Sequence, residues 1–115
     1  MKDLAGLTEA VRAFRDERDW RQFHHPKDLA MALSIEAAEV LELFRFKSPE
    51  QISGEMDGLR PRLAEELSDV LCFVLLMADD CGIDLSQALP AKLAQNALKY
   101  PVELARGKNL KYDQL

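Results

Sequence analysis

Two cysteines, two histidines and one tryptophan are all that 115 residues contain of those types, and each scarcity removes a class of protein. Cys72 and Cys81 stand nine positions apart, with no CxxC and no accompanying His pair, so neither a disulfide framework nor a zinc site is expected. Cys72 falls in an apolar run and reads as a buried thiol of a reducing cytoplasm. His24 and His25 are adjacent rather than spaced for zinc, and read as loop or capping residues. Basic charge is short as well: 15 Lys and Arg face 20 Asp and Glu, giving a net charge of −5. Proteins that coat nucleic acid need the opposite balance to replace phosphate counterions. No stretch reaches the roughly 18 apolar residues of a membrane span, and Met1-Lys2-Asp3 does not begin a signal peptide. Repeats, low-complexity segments and alternating strand patterns are absent.

What is present is helical periodicity. A chain of this length is expected to form one domain, residues 1–115. Leu4, Leu7, Val11 and Phe14 recur at helical spacing and predict a first helix over about Leu4–Asp19. Pro26 suits the first turn of a second helix, rich in Ala, Leu and Glu, that runs to about Phe44. The stretch Lys47–Leu59, with Pro49, Gly54 and Gly58, reads as a polar loop. Pro61 then opens a third helix to about Asp80, with Gly82 as its stop. Asp84 and Gln87 resemble a capping box for a fourth helix to about Tyr100, kinked or restarted at Pro90. The expected fold is all-α, a four-helix bundle. Residues 70–77 read Val-Leu-Cys-Phe-Val-Leu-Leu-Met, apolar on every helical face, which three neighbours in so short a chain do not cover. Self-association is therefore expected.

The acids hold the chemistry. At 100° per residue, Glu36 and Glu39 fall on the same side of the second helix as Ala32 and Leu43, within its apolar stripe. The same projection puts Glu66 and Asp69 among Leu63, Val70, Phe73 and Met77 on the third. Uncompensated buried carboxylates each cost several kcal/mol, and these four also repel one another. The two stripes contain no Lys or Arg except Arg62 at an edge. A hard divalent cation resolves the conflict, and i, i+3 acid pairs on facing helices are how bundles build such sites. Glu36, Glu39, Glu66 and Asp69 are the predicted ligands for magnesium.

Glu36-x-x-Glu39 followed by Glu66-x-x-Asp69 resembles the signature of the MazG-like all-α nucleoside triphosphate pyrophosphohydrolases. The likeness extends to the branch containing the dCTP pyrophosphatases. It is carried by Glu17-Arg-Asp-Trp20-Arg-Gln-Phe23-His24, Leu43-Phe-Arg-Phe-Lys47, Glu65-Glu-Leu-Ser-Asp-Val-Leu71, Lys92, Asn96, Lys99-Tyr100-Pro101 and Lys111-Tyr112. The resemblance implies magnesium-dependent cleavage of a (d)NTP, dCTP or a modified dCTP first, to the monophosphate and pyrophosphate, in a cytoplasmic homodimer or homotetramer. It implies that Glu36, Glu39, Glu66 and Asp69 are catalytic, and that Trp20, Phe46 and Phe73 bind the base. By the same resemblance Lys92, Asn96, Lys99 and Tyr100 bind phosphate or sugar. Three positions depart from the branch. Phe46 stands where a tryptophan is common, Phe73 where a tyrosine is common, and Val11 where a histidine sometimes occurs. Stacking surface survives these changes, but hydrogen bonds to the nucleotide do not. Competing readings are a related helical hydrolase, such as a phosphoribosyl-ATP pyrophosphohydrolase, and a non-catalytic helical interaction module.

Overall fold

A computed structural model describes residues 2–115, and helix is the only regular secondary structure among them. Five α-helices follow one another: α1 Leu4–Glu17, α2 Pro26–Glu42, α3 Pro49–Asp80, α4 Leu85–Lys99 and the single turn α5 Val102–Ala105. The chain divides into two compact units, one ending at Gly82 and one spanning Ile83–Leu115.

In the first unit α1 and α2 both pack against α3. Asp3 caps α1 by accepting the Gly6 N–H at 2.8 Å. The helix stops at Glu17, two residues short of the expected end, because Asp19 takes a left-handed φ of 53°. Its inward stripe also differs from the expected one. Phe14 is 48% exposed, whereas its neighbour Arg15 is 2% exposed. Leu4, Val11 and Arg15, at spacings of seven and four, therefore make the buried side.

His25 caps α2, its Nδ1 accepting the Lys27 N–H at 3.3 Å, and Pro26 fills the first helical position. This bears out a capping role for His25. The helix ends at Glu42, and Phe46 turns the chain with a φ of 64°.

The largest departure concerns α3. Of the loop expected over residues 47–59, all from Pro49 onward is helix, and Pro61 lies inside α3 rather than opening it. The start is instead a capping box at Ser48. Its hydroxyl accepts the Gln51 N–H at 3.1 Å, while the Gln51 side chain accepts the Ser48 N–H at 2.7 Å. Pro49 takes the first helical position. Gly54 and Gly58 are exposed helical residues that meet nothing within 4 Å of an added Cβ. With 32 residues α3 extends about 48 Å at 1.5 Å per residue, long enough to serve both other helices. Leu29, Leu43, Leu75, Leu76 and Ala78 form the core.

In the second unit Asp84 caps α4 through the Ser86 N–H at 3.0 Å, so the expected partner Gln87 is not the one engaged. The helix passes through Pro90 without restarting there. Beyond α5 a final 3₁₀ turn, Tyr112–Gln114, sets the Tyr112 ring edge-on to Tyr100, with centroids 6.3 Å apart. No helix among the described residues is long and apolar enough to cross a membrane.

Candidate functional site

Glu36 projects from the middle of α2, and Glu66 and Asp69 from the middle of α3. One carboxylate oxygen from each lies within 4.8 Å of the other two. Glu36 and Glu66 are half-buried and Asp69 is exposed. Burial raises the Glu36 carboxyl above its ordinary value, and the charges of Asp69, Glu66 and Glu39 raise it further. No Lys or Arg ion pair reaches any of the four predicted acids among the described residues. The cluster is thus a concentration of like charge without a protein counterion.

Such a donor set fits a hard divalent cation. Opposite oxygen ligands of a magnesium-sized ion, each at about 2.0–2.1 Å, stand about 4 Å apart. Oxygens within 4.8 Å of one another need only small side-chain rotations to share it. Glu39 is placed differently from the expectation. It is exposed and outside the three-carboxylate group, three residues further along α2 than Glu36. It acts on the cluster through its charge.

Beside the acids lies a cavity of about 280 Å³. Phe14, Trp20 and Phe73 give it aromatic walls, and Val11 and Leu76 add aliphatic surface. Glu36 and Asp69 border it too, so acid cluster and aromatic cavity share two residues. The Trp20 ring meets Phe14 edge-on at 5.8 Å, and the Arg18 guanidinium lies 3.7 Å above the Phe14 ring. Cys72 also lines the space. Burial raises its thiol above the ordinary value, reinforced by Asp69 and Glu36.

Of the three aromatic residues expected to bind a base, Trp20 and Phe73 therefore meet in one cavity. Phe46 does not join them: it is 89% exposed in the turn after α2, with the Arg45 guanidinium 4.5 Å from its ring. In the second unit, Lys92, Asn96 and Lys99 share α4, and Tyr100 is its C-cap. Lys99 Nζ lies 5.1 Å from the Tyr112 ring.

Among the cavity residues that escaped the sequence reading are two with nitrogen-bearing side chains, Arg15 and His24. Arg15 looked like one more charge on a polar helix face. His24 looked like half of a capping pair, and only His25 caps. No sequence pattern marks either, since their burial follows from how α1 and the turn after it lie on α3.

A family model described as MazG-like matches residues 31–115. The chain is 43% identical over 104 residues to dCTP pyrophosphatase 1 of Bos taurus, covering 89% of this chain and 62% of that protein. It is 42% identical over 106 residues to dCTP pyrophosphatase 1 of Homo sapiens, covering 89% and 61%. The chain thus spans about three-fifths of the length of these curated relatives. The crystal structure of a pyrophosphatase from Archaeoglobus fulgidus DSM 4304 superposes with a TM-score of 0.82 at 34% identity, covering 88% of this chain and 94% of that one. With a family match across most of its length and a fold shared over 88% of it with a solved relative, this chain belongs to the MazG-like family.

Proposed function

We propose that the protein is a nucleotide pyrophosphohydrolase that cleaves a deoxynucleoside triphosphate, dCTP or a modified dCTP first, to the monophosphate and pyrophosphate. The observation that carries this reading is the sharing of Glu36 and Asp69 between the acid cluster and the aromatic cavity. A base and a polyphosphate bound at those two places belong to one small molecule. The names of the curated relatives support the substrate.

In this reading Trp20 and Phe73 stack on the base and exclude water from its faces. Glu36, Glu66 and Asp69, with Glu39 three residues further along α2, would hold magnesium, which when bound would supply charge neutralisation and Lewis-acid polarisation at the triphosphate. One glutamate of α2, Glu36 or Glu39, helps to take the proton from the attacking water. The family resemblance implies that Lys92, Asn96, Lys99 and Tyr100 bind phosphate or sugar.

A homo-oligomer is part of the same proposal. Ile35 on α2 and Leu67 and Leu71 on α3 are exposed apolar side chains, and the all-apolar run 70–77 is incompletely covered within one chain. A reducing, cytoplasmic setting agrees with two unpaired thiols.

The test is chromatography of products from the eight common NTPs and dNTPs, with magnesium or with chelator, beside Glu36→Gln. The expected result is monophosphate and pyrophosphate only with metal, fastest from dCTP, and at least about 100-fold slower in the variant. No pyrophosphate from any of the eight would overturn the reading.

A further inference from the structure

Arg15 is a charged side chain buried to 2% exposure, and it lines the aromatic cavity. Its Nε donates to Asp16 Oδ1 at 2.9 Å, and Nη1 lies 3.9 Å from Asp79 Oδ2. Asp79 is itself fixed by Arg12, whose Nε donates to it at 3.1 Å. Nη2 is buried with no hydrogen-bond partner. A guanidinium cannot shed its proton, so the conflict persists until an acceptor arrives. Buried polar atoms are almost always paired, and an exception calls for a cause. A second exception lies in the same cavity, where His24 Nδ1 is also buried and unpartnered.

We infer that Arg15 is a specificity-determining residue that donates from Nη2 to a carbonyl oxygen of the bound base, with His24 meeting a second polar group on the same base. The inference rests on the cavity being the base pocket of the proposed hydrolase. A charged donor aimed at a carbonyl divides the common bases cleanly. Cytosine, thymine, uracil and guanine carry a ring carbonyl, whereas adenine has none. Cytosine matches both groups, with its O2 accepting from Arg15 and its amine donating to His24 Nδ1. The chain Arg12–Asp79–Arg15–Asp16 holds the guanidinium still, so little freedom is lost when the acceptor binds. Adenine would leave Nη2 buried and unpaired, the situation in which polar pockets reject an analogue most strongly.

The chain's single tryptophan lines this cavity, so base binding is read directly from Trp20 fluorescence. Titrations with dCMP, 2-thio-dCMP and dAMP in magnesium compare the wild type with Arg15→Met and Arg15→Lys. The expected wild-type result is dCMP at least about 10-fold tighter than dAMP or 2-thio-dCMP, a difference of about 1.4 kcal/mol. Arg15→Met should weaken dCMP about 10-fold and move dAMP less than about 2-fold, with Arg15→Lys in between. A merely structural arginine would weaken all three ligands equally, and that result overturns the inference. So does a wild type indifferent to the carbonyl, a readout that needs no variant to fold. Discrimination among monophosphates without pyrophosphate release would sink the hydrolase and keep the base pocket. Hydrolysis that ignores the base would do the reverse.

Discussion

Removing a charge from the acid cluster should stabilise the protein without metal and destabilise it, relative to wild type, with metal. Glu36 has Glu66 and Asp69 oxygens within 4.8 Å. Two unit charges at that distance repel by about 0.9 kcal/mol in a water-like dielectric and about 3.5 kcal/mol at an effective value of 20. The cluster is half-buried and open on the Asp69 side, so the lower figure governs, and two such pairs sum to about 2 kcal/mol. The folded-state affinity of Glu36 for its proton lies above the unfolded one. Its ionisation therefore removes stability as pH rises from the unfolded value through the raised one. Glu36→Gln, free of that penalty, should melt roughly 8 °C higher than wild type in chelator. Magnesium at a hundredfold excess over Kd adds about 2.7 kcal/mol to the wild type and much less to a variant lacking one ligand. The order of melting temperatures should then reverse, as followed by circular dichroism at 222 nm. A variant that melts below wild type in chelator, or gains as much from magnesium, refutes the account of the cluster as an uncompensated metal site.

The other predictions probe the frame that holds the cluster. Asp79 lies below the usual carboxylate range because it accepts from Arg12, with Arg15 adding to the effect. Its contribution is complete above about pH 4 and lost as pH falls through the lowered value. The urea midpoint should consequently drop between about pH 4 and pH 2.5 in wild type and drop less in Asp79→Asn. Leu29→Ala opens space at a side chain only 1% exposed and should cost about 3 kcal/mol at unchanged m-value in urea. Gly58→Ala, with nothing near the new methyl on an exposed helical turn, should raise stability by about 0.5–1 kcal/mol, whereas a loop at that place would gain nothing consistent. Replacing exposed Leu71 by Lys should shift any oligomer toward monomer in sedimentation velocity while leaving helicity intact.

Helix class, most helix starts and three of the four acids' convergence were legible because each depends on residues near in sequence. Asp84 and Pro26 mark helix starts by local hydrogen bonding and fixed φ. Glu36 alone, or Glu66 and Asp69 alone, would mean little; two helix faces with i, i+3 acids and no cation imply that they meet. The loop expected over 47–59 shows the limit of local signals. Pro49, Gly54 and Gly58 read as loop signals, yet a capping box of Ser48 and Gln51 starts α3, and packing of α1 and α2 along it offsets the defects at Gly54, Gly58 and Pro61.

What the sequence alone determined was thus the inventory: all-helical elements, acids without counterions, and aromatic residues near them. Tertiary structure decided which side chains share a space. Trp20 entered the cavity and Phe46 left it, because a left-handed residue at position 46 turns the chain away from α2. Arg15 was buried in preference to Phe14 because the phase of α1 is set by its contact with α3, where Asp79 lies near the guanidinium. Periodicity states that a helix has an inner face; only the partner helix selects which residues that face contains.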